Sequence, residues 1–144
     1  MIFPDINLLL YAYNTMFERH GECSAWLESL INGKSTVCFS WHTIMGFIRM
    51  STTPSIFPKP YTSTESLEIA SSFLDAKNSM ILLPGEEHFR VFSRLVKESG
   101  FTGPRLMDAH IAALAIEHGA TVASADRDFR AFDGLKLINP LAES

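Results

Sequence analysis

Four aspartates stand where short apolar runs give way to polar residues. Asp5 follows Ile2-Phe3, Asp126 and Asp128 follow Thr121-Val122-Ala123-Ser124, and Asp108 sits early in the helical segment that precedes the latter run. Carboxylates bind hard cations and hold or accept protons, so several of them in one crevice point to hydrolytic chemistry. Grouped together they repel, and at least one must take up a proton at unusually high pH unless a dication neutralises them. An all-oxygen ligand set suits Mg²⁺ or Mn²⁺, because the five His and two Cys show no zinc-like spacing. Such an ion can screen a phosphodiester, activate a water and stabilise the leaving oxygen. Taken singly, each aspartate also reads as a helix cap. Asp133, followed by Gly134, is a turn signal and is assigned no chemistry.

The elements that must position these acids are short. Ile2-Phe3 is a brief buried strand, and residues 8–13 form an apolar helix. Cys23, Trp26, Leu27, Leu30 and Ile31 repeat with helical period, and Asn32-Gly33 can end that helix. Thr36-Val37-Cys38-Phe39-Ser40 is a second strand, followed by a helix from Trp41 to Met50. Pro54, Pro58 and Pro60 make an irregular connection, after which Thr62 and Glu65 have the spacing of a capping box. Met80-Ile81-Leu82-Leu83 is a third strand closed by Pro84-Gly85, and a helix carrying Phe89, Phe92 and Val96 comes next. Pro104 is placed to open the following helix, Gly119 to cap its end, and Leu135-Lys136-Leu137-Ile138 to form a fifth strand. Short strands alternating with helices predict an α/β fold with a mostly parallel sheet of about five strands covered on both faces.

Length arithmetic decides whether Asp108 can join the other acids. The helix from Asp108 to Gly119 spans about 16 Å at 1.5 Å per residue, and the strand from Thr121 to Asp126 returns about 16 Å at 3.3 Å per residue. Asp108 and Asp126 therefore finish at one edge of the sheet, beside Asp5 if the first and fourth strands are neighbours. In open parallel sheets that carboxyl edge is where ligands bind.

The chain of 144 residues has 47% hydrophobic residues, enough for one domain over residues 1–144 with its own core. A formal charge of −4 argues against a simple nucleic-acid binder. The charge is nevertheless segregated. Residues 29–64 hold Lys34, Arg49 and Lys59 and no acid, so they carry +3 while the remainder carries −7. Phe39, Trp41, Phe47, Phe57 and Tyr61 are interleaved with these cations, a pattern compatible with base stacking or with a groove for a partner. Phe39 and Phe47 are expected in the core, whereas Trp41, His42 and the Pro-flanked Phe57 are expected at the surface. Only Cys23 and Cys38 are present, too few for a disulfide framework. No signal peptide or long apolar span is legible, so a cytoplasmic location without membrane attachment is expected.

At these residues the chain resembles a PIN-domain ribonuclease, and more narrowly the VapC-type toxins of bacterial toxin–antitoxin pairs. The resemblance rests on Asp5-Ile6-Asn7, on Met107-Asp108-Ala109-His110-Ile111-Ala112-Ala113-Leu114-Ala115, and on Ser124-Ala125-Asp126-Arg127-Asp128-Phe129. Phe132, Leu135 and Asn139-Pro140-Leu141 are also typical. It implies a three-layer α/β/α fold and a Mg²⁺- or Mn²⁺-dependent endoribonuclease that acts as a toxin, is often dimeric, and is inhibited by a cognate antitoxin. Carried over, it makes Asp5, Asp108 and Asp126 the catalytic, metal-site acids and Asp128 an accessory acid. Asn7 and Ser124 become polar supports. Arg105 and Arg127 flank the acids and, with Arg49, are candidates to contact RNA.

One departure stands out. Such toxins usually carry a Glu in the third helix three residues before a basic residue, and here Gly46 holds that place in Gly46-Phe47-Ile48-Arg49. Two other readings therefore remain open: a PIN-like module that binds RNA or a partner with little catalysis, and a metal-dependent phosphatase. The second is disfavoured because Asp5-Ile6-Asn7 lacks the second Asp of an Asp-x-Asp nucleophile. The five histidines are scattered in sequence and are given no catalytic part.

Overall fold

The computed structural model describes residues 1–142. Five short strands, β1 (Ile2–Pro4), β2 (Val37–Phe39), β3 (Ser79–Ile81), β4 (Thr121–Ala123) and β5 (Lys136–Ile138), pair in the order β3-β2-β1-β4-β5. Every pairing is parallel. Parallel neighbours require crossovers, and helices supply them. Helices α1 (Ile6–Tyr13) and α2 (His20–Ile31) lead from β1 to β2, and α3 (Trp41–Ser51) and α4 (Ser63–Leu74) lead from β2 to β3. The chain then crosses back through α5 (His88–Ser99) and α6 (Arg105–His118) to place β4 against the other side of β1, and a 3₁₀ turn over Arg127–Ala131 leads into β5.

Strand alternation divides the core in two. Phe3, Cys38 and Val122 pack with α5, α6, Phe129 and Phe132 on one face. Val37, Phe39 and Ala123 pack with α1 to α4 on the other, where Phe39 stacks on Phe73 with ring centroids 5.5 Å apart. The three-layer α/β/α arrangement follows from those two apolar faces.

Several local readings hold. Thr62 and Glu65 form the capping box that opens α4, Gly119 ends α6 at φ 69°, and Phe39 and Phe47 are fully buried. Cys23 and Cys38 are free, buried thiols; Cys23 Sγ lies 3.1 Å from the carbonyl oxygen of Leu8, and burial pushes its pKa up to about 11.

Two readings need correction. The third strand is Ser79–Ile81 and not the apolar run through Leu83; as an edge strand it leaves Met80 and Leu83 facing out. Phe57 is buried. The amides of Phe57 and Tyr61 bond back to the carbonyls of Thr53 and Ser51, folding the Pro-rich segment so that the Phe57 ring tucks beside Tyr61. Among the described residues no helix is long and apolar enough to cross a membrane.

Candidate active site

The strand order reverses between β1 and β4: from β1 the chain winds outward to β2 and β3, then returns to begin again at β4. At such a switch point the connections leave in opposite directions and open a crevice beyond the carboxyl ends of the two strands. Both strands end in the candidate acids. Pro4 pairs with Ala123, and the Asp5 amide continues the ladder to the Ala123 carbonyl at 2.9 Å. Asp5 is thus level with Ser124, and Asp126 stands two residues further on.

Asp5 is only 6% exposed and occupies the N-cap position of α1 without a side-chain capping bond. Its carboxylate is committed elsewhere, accepting a 3.0 Å hydrogen bond from Ser124 Oγ. Burial pushes its pKa up to about 6, opposed by the Ser124 bond and reinforced by the charge of Asp126. Asp108, in the first turn of α6, is likewise raised to about 6, first by burial and then by the neighbouring charges of Asp5, Asp126 and Asp128. Asp126 does serve as a cap: its Oδ1 accepts from the Asp128 amide at 2.9 Å, and its own amide donates to Ser124 Oγ at 3.0 Å. Asp128 pairs with Arg105 at 3.0 Å, and that guanidinium also lies 5.0 Å over the Phe101 ring.

The structure therefore brings Asp5, Asp108, Asp126, Asp128 and Ser124 to one crevice, with Arg105 at its rim. Asn7 is exposed and makes no side-chain hydrogen bond among the described residues. Arg49 is exposed in the last turn of α3, within electrostatic reach of His42. Among the described residues no three acid, imidazole or thiol groups already stand in a metal-chelating arrangement. The donor set still fits a hard dication: it is all carboxylate, and repulsion within it is one cause of the raised Asp5 and Asp108 pKa values.

Gly46 has a structural counterpart to its sequence anomaly. A Cβ at this position would come within 2.9 Å of Ile6 Cδ1, so the space beside Gly46 is filled by the side chain that follows Asp5. No carboxylate enters the crevice from α3.

Sequence reasoning missed a second polar constellation. His88 at the start of α5 hydrogen-bonds through Nδ1 to Glu117 Oε1 at 2.7 Å and through Nε2 to His110 Nδ1 at 2.9 Å. His42 of α3 meets His110 edge-on with ring centroids 5.9 Å apart, and burial lowers the pKa of both His42 and His110. Three helices contribute one imidazole each, so no local spacing announces the group. The one legible hint is that His110 and Glu117 lie seven residues apart on a single face of α6.

An all-parallel sheet with carboxylates converging at its switch point defines a class of α/β site, and the chain belongs to the PIN-domain family, whose model it matches over residues 2–135. It is 35% identical over 143 residues to Ribonuclease VapC37 of Mycobacterium tuberculosis, covering 99% of each chain. To Ribonuclease VapC33 of the same organism it is 32% identical, covering 99% of this chain and 100% of that one. Among solved structures, it superposes on VapBC2 from Rickettsia felis bound to a promoter DNA fragment with a TM-score of 0.66, at 22% identity and over 96% of this chain and 98% of that one. FitAB bound to an IR36 DNA fragment gives a TM-score of 0.70 at 21% identity, over 100% of this chain and 98% of that one. At those identities the structural likeness is one of fold.

Proposed function

We propose that the protein is a metal-dependent endoribonuclease that acts as the toxin of a toxin–antitoxin pair and hydrolyses RNA phosphodiesters. One observation carries this reading. Asp5, Asp108 and Asp126 converge at the β1–β4 switch point, in a chain similar over its full length to proteins named as VapC ribonucleases. The three acids would hold Mg²⁺, or Mn²⁺ in its place, and the ion when bound supplies an activated water and charge stabilisation for the phosphate. Ser124 fixes the Asp5 carboxylate and the Asp126 backbone together. Asp128 is the accessory acid, held at the rim by Arg105. Arg49 and Arg127 are exposed cations available to the RNA backbone.

VapBC assemblies among the structural relatives support a cognate antitoxin as partner. A homodimer and a cytoplasmic location accord with the same reading. The decisive experiment is Asp126→Asn, which retains the fold and abolishes metal-dependent cleavage; cut sites mapped on total cellular RNA after brief induction identify the substrate. Undiminished cleavage removes this mechanism.

A second reading is favoured by Gly46 alone: a module that binds RNA with little turnover. Titrating Mn²⁺ while following RNA cleavage separates the two, since a pure binder shows no turnover at any metal concentration.

A further inference from the structure

Beside the acidic crevice lies a smaller pocket of about 100 Å³, lined by Ser124, Ala125, Asp126, Arg127, Arg130, Leu137 and Asn139. It shares Ser124 and Asp126 with the crevice and opens on the β5 side of them. At this volume it is well below the roughly 300 Å³ at which pockets begin to enclose a small molecule. A group the size of a phosphate fits; a nucleoside does not.

The lining is rich in donors that have no partner among the described residues. Arg19, Arg90, Arg94 and Arg105 each pair with a carboxylate. Among the described residues, the side chains of Arg127 and Arg130 make neither an ion pair nor a hydrogen bond. Asn139 uses its Oδ1 to accept from the Leu141 amide, which leaves its Nδ2 as a donor with no protein partner among the described residues. Asp126 is the sole carboxylate of the lining, and its Oδ1 already accepts from Asp128. Two guanidinium groups against one acid make the local balance positive within a chain whose formal charge is −4. Planar, forked N–H donors match phosphate oxygens, and with no partner among the described residues these two leave that capacity open.

We infer that this pocket is a phosphate subsite that seats the RNA backbone phosphate neighbouring the one at the crevice. The inference rests on the ribonuclease reading of the crevice, since it is the shared wall of Ser124 and Asp126 that makes the two sites adjacent along one strand. Arg130 and Arg127 supply the charge, and Asn139 adds a neutral donor. The subsite sets binding and register of the strand, and it contributes nothing to bond cleavage.

The test uses the full chain in EDTA, with a fluorescent single-stranded RNA oligonucleotide whose affinity is followed by anisotropy across a salt series. Arg130→Gln raises the dissociation constant several-fold and reduces the slope of log K against log salt by about 0.7, the value for one lost contact to a single strand. The double substitution with Arg127→Gln reduces it by about 1.4. Arg130→Lys recovers part of the slope, and Arg90→Gln, on the outside of α5, leaves it unchanged. Inorganic phosphate alone competes with the oligonucleotide on the wild-type chain more strongly than on Arg130→Gln.

Once Mn²⁺ is added, Arg130→Gln raises KM and leaves kcat within about twofold, as expected for binding lost equally from ground and transition states. No RNA binding in EDTA, or a slope indifferent to Arg130, overturns the subsite even where the wild type cleaves RNA. So does phosphate competition that Arg130→Gln leaves intact. Binding that depends on Arg130 in a chain that never cleaves leaves the subsite standing and removes the nuclease reading instead.

Discussion

Ser124 Oγ donates a 3.0 Å hydrogen bond to Asp5 Oδ2 while accepting one of the same length from the Asp126 amide, so a single hydroxyl joins the carboxyl ends of β1 and β4. Ser124 is 2% exposed, and among the described residues no other side chain bonds to the Asp5 carboxylate. Ser124→Ala is expected to weaken Mn²⁺ binding by about 10- to 100-fold, the usual effect of losing a partner that orients a ligand. Calorimetric titration of the metal measures this directly. An affinity equal to wild type shows that Asp5 needs no such support.

The metal-free protein is expected to lose stability as pH rises. A carboxyl with a raised folded-state pKa binds its proton more tightly when folded, so its contribution is intact below about pH 4 and lost as pH climbs through about 6. For Asp5 the penalty at about pH 8 is on the order of 3 kcal/mol. Asp5→Asn removes it, and the variant should melt several degrees above wild type at about pH 8 in EDTA, with the gap closing near pH 4. His42 and His110 titrate in the opposite sense, but they are common to both chains. Calorimetry at the two pH values checks the difference, and Mg²⁺ should narrow the gap at pH 8 by stabilising only the wild type.

Gly46 sits in the middle of α3, where glycine costs about 1 kcal/mol relative to alanine. The gain from Gly46→Ala is opposed by Ile6 Cδ1, 2.9 Å from the added methyl. Ile6→Val deletes that atom. Gly46→Ala should therefore stabilise the Ile6→Val chain by about 1 kcal/mol and the wild type by clearly less. Urea unfolding of the four chains of this cycle decides it, and equal effects in both backgrounds would falsify the steric account.

His88 and Glu117 have side chains 15% and 9% exposed, and Glu117 also accepts from the Gly85 amide at 3.1 Å. Removing the imidazole leaves a nearly buried carboxylate with one backbone donor. His88→Ala is expected to destabilise the fold by roughly 2 kcal/mol, the scale of a hydrogen bond to a charged group. Adding Glu117→Gln, which keeps an acceptor for Gly85 and removes the charge, should restore about 1 kcal/mol. Chemical denaturation of the single and double variants gives both numbers; a double variant no more stable than the single one means that an unpaired Glu117 carboxylate is not what the loss of His88 costs.

The helices and strands were largely legible because their signals are local. Cys23, Leu27 and Leu30 repeat with helical period, Thr62 and Glu65 cap within one turn, and Gly119 needs only its own φ to end a helix. The boundaries of β3 were misjudged because an apolar run does not say which of its residues an edge strand will leave in solvent. Phe57 was misplaced because its burial depends on backbone bonds to Thr53 and Ser51 that prolines nearby do not announce.

The candidate site divides along the same line. Sequence by itself determined that Asp108 and Asp126 reach one sheet edge, since a helix and the strand after it cover equal lengths in opposite directions. It also determined that α3 carries no acid. Only the tertiary structure decided that β1 and β4 are neighbours, because strand order is settled by how two apolar faces are covered and not by any one segment. That adjacency brings Ser124 onto Asp5 across 119 positions and sets Arg127 and Arg130, unpaired among the described residues, beside Asp126, while the packing of α1 on α3 puts Ile6 against Gly46. The same packing gathered His42, His88 and His110 from three helices. Contacts between residues far apart in the chain exist only once the layers close, which is why those relationships, and the subsite they define, were absent from the sequence.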